Sequence, residues 1–440
     1  MGTVKKVFLG ALIILVVGVG GLVLYVKFEG EVPSLSIIPA PSAIGRQVTF
    51  ALAYEDRRTG VKDIVIEIVQ DGKTVSVLQE SYPPGTHQVT KNLEITPLSL
   101  GLHDGKALFR ARVRDRSWRG NRKVLEVPTI IDSRPPTIRT LSRFHYVNQG
   151  GTGLVVYQAS ERLARTGVNV GDLWFPGYQV RDGKFLCFFA VPFNASQKTP
   201  ITLVSEDIAR NLSRTTFSYR IRPKKFRNDT VRVTDGFLQT ILPYFVDRDP
   251  SLKGELRDIF LRINRDLRKA NTQKIEELCR QSTSELLCSG PFLRMKGGKK
   301  MAGFADHRVY IYDGQEIDRQ YHMGVDLASL AMSPVKAANR GQVVYAGELG
   351  IYGNTILLDH GCGIFSMYGH LSQVHVHPGE IVEKGKPIGI TGSTGLAGGD
   401  HLHFSILVSG VYVNPIEWWD PHWIRDNVDI KLATLQSSQG

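Results

Sequence analysis

Nine of the twelve histidines in this 440-residue chain fall between His307 and His422. Two spacings in that stretch could do chemistry. His322-Met323-Gly324-Val325-Asp326 sets a carboxylate four residues after an imidazole, and His401-Leu402-His403 sets two imidazoles two apart. A catalytic zinc takes three N or O side-chain ligands and keeps a fourth position open; a His, an Asp and a second His meet that need. Residues two apart on a strand face the same side, so His401 and His403 can point into one cleft, one as ligand and one as catalytic neighbour. Such a centre polarises a carbonyl and lowers the pKa of its water toward about 7. His375-Val376-His377 has the same spacing but runs into Pro378-Gly379 and reads as a surface turn. His307 and His360 read as structural. With no H-E-x-x-H and no CxxC, a helix-borne glutamate base, a cysteine zinc cage and a redox dithiol lack support.

The elements that must hold these residues are strands. Val335 to Gly347, Thr355 to His360, Ile364 to His370, Ile388 to Thr391 and Phe404 to Val408 read as strands between glycine turns, giving a Gly-rich all-β domain over residues 291–425. A short tail, 426–440, follows. Before this domain the period changes. Leu252, Leu256, Ile259, Phe260, Ile263 and Leu267 keep helical spacing. Asp249-Pro250 reads as the helix start, and Asn271 or Thr272 as the cap of a second helix, so that residues 231–290 form a helical connector.

Across residues 290–419 the chain resembles the lysostaphin-type (LytM-like) zinc metalloendopeptidase family. The resemblance rests on Tyr321-His322-Met323-Gly324-Val325-Asp326, Tyr352-Gly353-Asn354-Thr355, Asp359-His360-Gly361, Tyr368-Gly369-His370-Leu371-Ser372, Gly385-Lys386-Pro387-Ile388-Gly389, Gly392-Ser393-Thr394-Gly395 and His401-Leu402-His403-Phe404. It implies that His322, Asp326 and His403 hold one Zn2+ and that His370 and His401 are catalytic. The implied activity is zinc-dependent hydrolysis of peptide cross-links in bacterial peptidoglycan. The alternative is a non-hydrolytic wall-binding or amidase-activating protein on the same domain; retention of all five residues argues against it. The chain departs from the family at Gly369, where alanine is common, and at Cys362, where a polar residue is.

The rest of the chain sets the context. Lys5 and Lys6 precede an apolar run from Val7 to Val26, long enough at 1.5 Å per residue to span a hydrocarbon core of about 30 Å. The run exceeds a signal-peptide core and ends without a small-x-small site. Residues 1–29 therefore read as a cytoplasmic stub and an uncleaved transmembrane helix, with the remainder outside the cytoplasm, periplasmic or wall-facing. The net charge of +12 favours anionic partners, and an exported body makes nucleic acid an unexpected one. Residues 30–133 and 134–223 read as two β-sandwich modules of immunoglobulin-like type, joined at Asp132-Ser133-Arg134-Pro135-Pro136; they offer a surface for an envelope protein partner. A scaffolding role centred on them is a third reading. Ile64 to Val69 and Thr74 to Leu78 around Asp71-Gly72 predict a hairpin. Arg110, Arg112, Arg114 and Arg116 read as a solvated strand face. Cys279 and Cys288 are close enough in sequence to pair or to stay free and buried, and Cys187 lies in an apolar strand. The expected fold class is mainly β, with an N-terminal membrane helix and a helical connector.

Overall fold

The computed structural model describes residues 2–181 and 183–436. The chain divides into two compact units, Met1–Pro136 with Glu206–Leu212, and Thr137–Ser205 with Ser213–Gly440.

In the first unit, Gly2–Lys27 is one α-helix. Its span Lys5–Lys27 is long and apolar enough to cross a membrane, and none of it is buried against protein. Such a helix satisfies its own backbone hydrogen bonds, which lipid demands. Two sheets follow. Ser34–Ile38, Val48–Glu55 and Gln88–Ile95 form one; Ala43–Ile44, Arg122–Ile131, Gly105–Asp115, Val61–Gln70 and Lys73–Ser81 form the other, in that spatial order. Period-two alternation decides which side chains go inward. Phe50, Leu52 and Tyr54 alternate on one sheet, Ile64, Ile66 and Ile68 on the other, and Phe50 meets Phe109 at 5.9 Å between ring centroids. Asp71 and Gly72 both take positive φ, 50° and 77°, and close the expected hairpin. Of the arginine stripe, Arg110 pairs with Glu126 and Glu67, and Arg114 with Asp63.

In the second unit, Tyr178–Arg181, Lys184–Ala190, Thr152–Ala159 and Ile138–Thr140 form a four-stranded sheet, and Leu173–Pro176, Leu163–Val170 and Ile201–Asp207 belong to another. One hydrophobic core runs from Ile138 to Leu435, so these strands, the helical segment and the C-terminal sheet are packed together. Phe188 of the first sheet touches Trp418, ring centroids 6.0 Å apart, and Trp418 Nε1 donates to Thr152 Oγ1 at 3.2 Å. Arg425–Asp429 and Ile430–Ala433 are helical and packed: Val428 and Lys431 are buried, and Lys184 Nζ donates to Leu435 O.

The helical segment differs in detail from its sequence reading. One helix, Asp235–Val246, is capped by Thr234, whose side chain accepts from Phe237 N. Asp249-Pro250 is a turn, and the next helix starts at Leu256. It then continues unbroken through a π-turn, Ile263–Leu267, into Arg268–Leu278. Asn271 is therefore no cap. It is buried in mid-helix, where its Oδ1 accepts from Ile351 N at 2.8 Å. A long-range partner satisfied the polar group that local pattern assigned to a helix end. Asn228–Val233, at the expected edge of the connector, is a strand parallel to Asp306–Tyr312. All four cysteines are free, Cys279 and Cys288 among them.

Glu417 sits within this shared core. Its carboxylate accepts from Asn148 Nδ2 at 2.7 Å and Thr152 N at 3.0 Å. Burial outweighs those bonds and pushes its pKa from 4.5 up to about 7. A carboxyl whose folded pKa lies above its unfolded value stabilises the fold most below the unfolded pKa, and that contribution is lost as pH rises through the folded one. The unfolding free energy of the wild type relative to Glu417→Gln is thus expected to fall by about 3 kcal/mol from pH 4.5 to just above 7. Urea melts of both proteins across that range measure it.

Candidate metal centre

Four strands position the centre. His322 ends the strand Gln315–His322; Asp326 lies in Val325–Ala328, directly opposite His403 of Leu402–Val408. On the other side of His403 is Gly369 of Ile364–Val374. Gly324, in the crossing between His322 and Asp326, passes so close that a Cβ there would lie 2.5 Å from His403 Nε2 and 2.6 Å from Ser405 Oγ. The Gly of the H-x-G-x-D spacing is required by that approach.

Three donor atoms converge. His322 Nε2 lies 2.9 Å from Asp326 Oδ1 and 3.0 Å from His403 Nδ1, and His403 Nδ1 lies 2.9 Å from Asp326 Oδ1. All three residues are buried. The far sides of the rings fix their tautomers. His322 Nδ1 donates to Gly303 O at 2.8 Å, leaving a bare Nε2. Ser405 Oγ donates to Met323 O at 2.8 Å and so must accept from His403 Nε2, 3.0 Å away, leaving a bare Nδ1. Two imidazole lone pairs and a carboxylate oxygen then face one point with no proton between them. A cation seated between them satisfies all three at once, and the N, N, O donor set suits zinc. A His/Asp/His centre of the catalytic-zinc type is therefore present.

Its electrostatics agree. Burial by itself would raise Asp326, but the three surrounding imidazoles outweigh it and hold the carboxyl well below its ordinary range. Burial lowers His403 to about 4, which keeps its lone pair free at neutral pH. Arg308 Nη2 binds the second carboxylate oxygen, Oδ2, at 3.1 Å, so Asp326 presents only Oδ1 to the centre.

His370 and His401 stand beside this cluster, their ring centroids 4.7 Å apart. His401 Nε2 is 3.6 Å from Asp326 Oδ1 and its Nδ1 donates to Gly399 O. His370 Nδ1 donates to Thr394 O at 2.8 Å. Each therefore turns a bare Nε2 outward from its anchoring carbonyl. Burial, then the neighbouring His401 and His403, pushes His370 well below the usual imidazole range. For His401 burial is outweighed by Asp326, and its pKa is raised. His370 reaches its place through a β-bulge. Asn354 pairs with Leu371 and Ile356 with Tyr368, so Thr355 alone faces both Gly369 and His370, and His370 takes φ 63°. At Gly369 a methyl would sit 3.3 Å from Tyr352 O, a tight fit that glycine avoids.

A cavity of about 310 Å3 opens over the centre, lined by all five residues and by Arg308 and Tyr352. The helical segment supplies another wall through Phe237, Phe260 and Arg268. A larger cavity, about 430 Å3 among Leu293, Val335, Phe404 and Trp419, holds none of the converging donors. His375 and His377 are not part of the cluster, and His360 is a buried structural group whose nitrogens bind Arg340 O and Ser366 Oγ. Arg308 and Ser405 escaped sequence reasoning. The alternation His401, His403, Ser405 put Ser405 on the ligand face of its strand, but nothing local marked Arg308.

Residues 320–415 match the family described as Peptidase family M23. The DD-carboxypeptidase/endopeptidase Mpg of Neisseria meningitidis serogroup B is 38% identical over 95 residues, 22% of this chain and 22% of that protein. The peptidoglycan DD-endopeptidase ShyA of Vibrio cholerae is 35% identical over 96 residues, again 22% of each. The chain thus spans under a quarter of the length of these curated relatives. The catalytic domain of lysostaphin from Staphylococcus simulans is 32% identical, with 28% of this chain and 92% of that one covered at a TM-score of 0.25. The C-terminal domain is an M23-family zinc-peptidase domain, and lysostaphin is a distant, partial relative of it.

His403→Ala is expected to abolish stoichiometric zinc. Ser405→Ala, which frees the outer nitrogen of His403, is expected to weaken zinc binding 10- to 100-fold. Competition against a chromophoric chelator measures both.

Proposed function

We propose that this chain is a membrane-anchored zinc endopeptidase that hydrolyses peptide cross-links of bacterial peptidoglycan. The observation that carries the reading is the convergence of His322 Nε2, Asp326 Oδ1 and His403 Nδ1 on one point beneath an open cavity. The substrate follows from relatives whose names are peptidoglycan DD-endopeptidase and DD-carboxypeptidase/endopeptidase.

Zinc held there would supply Lewis-acid polarisation of a peptide carbonyl and a lowered water pKa. The chain's own residues do the rest. His370 and His401 are the catalytic histidines of this reading. Each is anchored at Nδ1 and presents Nε2: one ring, neutral there, accepts the proton of the attacking water, and the other, protonated at Nε2, stabilises the developing oxyanion or passes that proton to the leaving amine. Arg308 positions Asp326. The cavity walls exclude bulk water and give an extended peptide its path. Residues 291–425 serve as the catalytic domain, and residues 30–133 and 134–223 as two β-modules that we take as immunoglobulin-like. Lys5 and Lys6 before the apolar helix support an inner-membrane protein with its body in the periplasm.

The full chain in detergent, loaded with zinc, is expected to release new peptides from purified peptidoglycan, and fragment masses identify the bond. His370→Ala and His401→Ala are each expected to keep zinc yet lose about 10²- to 10⁴-fold in rate. Bound zinc without any released peptide would instead support a wall-binding or amidase-activating protein. The helical segment narrows the approach to the centre, and Phe237→Ala is expected to speed digestion of intact polymer more than of a short soluble peptide. Equal effects on the two substrates would remove that role.

A further inference from the structure

The first unit contains a second convergence of ligand atoms. Glu29, Asp56 and Asp115 are 3%, 4% and 0% exposed, and one carboxylate oxygen of each lies within 4.8 Å of the other two. They come from three separate places: just past the apolar helix, just past the strand Val48–Glu55, and the end of Gly105–Asp115. Several of their oxygens are spoken for. Asp56 Oδ1 accepts from Thr59 N and Gly60 N at 2.9 and 2.7 Å, and Glu29 Oε1 from Thr59 N at 3.1 Å. Asp115 accepts from Ser117 at Oδ1 and from Asn121 Nδ2 at Oδ2.

Glu29 Oε2 is different. It is fully buried and accepts no hydrogen bond. The cation near it is Arg58, whose Nε stands 3.3 Å away without hydrogen-bond geometry. Three buried carboxylates with one ion pair among them, from Glu29 to Arg58, leave carboxylate oxygens clustered in a place water does not reach. Buried charges in proteins are paired or bound to metal. The donors are all oxygen, which selects a hard cation, and their separations suit oxygens placed about 2.4 Å from a common ion, the calcium range.

The same loops grip the end of the apolar helix. Trp118 N donates to Lys27 O at 2.7 Å, and Asn121 Nδ2 to Glu29 O at 3.1 Å. Arg58 lies over the Tyr25 ring and Arg119 over Phe28. We propose that Glu29, Asp56 and Asp115 bind one divalent cation of the calcium class, and that this ion fastens the membrane helix to the first β-module. The site is independent of the zinc centre and of the activity proposed for it. Outside the cytoplasm, free calcium is high enough for such a site to fill at a dissociation constant of about 10⁻⁴–10⁻³ M.

The full chain in detergent, stripped of metal on a chelating resin and given back zinc, tests this. Equilibrium dialysis is expected to find one calcium per chain beyond the zinc, and the melting temperature is expected to rise with calcium until the site saturates. Terbium should bind in its place and luminesce under excitation of the nearby Trp118. Asp115→Asn and Glu29→Gln are expected to lose both uptake and the thermal response while keeping zinc. Glu29→Gln retains the oxygen that Thr59 N needs, so it decides the matter where Asp115→Asn does not fold. No calcium uptake by the wild type at millimolar concentration, or uptake unchanged in Glu29→Gln, overturns the proposal.

Discussion

Two bare imidazole nitrogens and a carboxylate oxygen meet within 3.0 Å of each other in the C-terminal domain, with no proton to share. A cation reconciles that meeting, and much of the domain is arranged to maintain it. Gly303 O and Ser405 Oγ hold the outer ring nitrogens, Arg308 holds the outer carboxylate oxygen, and Gly324 clears the space that His403 occupies. Ligands pinned on sheet strands lose little freedom when metal binds, and the position facing the cavity stays open for substrate.

The scaffold behind the centre is larger than a peptidase domain. A single core joins the second β-module, the helical segment and the C-terminal sheet, with Trp418 and Glu417 reaching across to Phe188, Asn148 and Thr152. Asn271, buried in mid-helix, ties the helical segment to Ile351, whose neighbour Tyr352 lines the cavity. The helical segment is thus held at the cleft by buried contacts on both sides. It helps set the shape of the approach rather than serving as a loose linker.

The arginine face of the first module shows how little a count of charges says. Arg110 and Arg114, on a face of four arginines spaced two apart, pair with Glu126, Glu67 and Asp63. The three carboxylates buried together beyond the apolar helix, Glu29, Asp56 and Asp115, lie in no motif for metal. Their relation is entirely one of tertiary placement.

Much of the metal centre was legible in the sequence, because the chemistry needs particular residue types at fixed strand spacing. H-x-x-x-D and H-x-H named His322, Asp326, His401 and His403, and glycine turns located about half the strands of their domain, though not Gln315–His322 or Val325–Ala328, which carry His322 and Asp326. The apolar run and the Asp71-Gly72 hairpin were equally plain, since each depends only on neighbours along the chain. Tertiary structure decided the rest. It set the bulge that turns His370 toward His401, which arises from a register mismatch between two strands. It gave Asn271 a distant backbone partner in place of a helix end. It brought Arg308 to Asp326, and Glu29 to Asp56 and Asp115. In each case the energy comes from a burial or a hydrogen bond between residues far apart in sequence, and no local pattern records such a pairing.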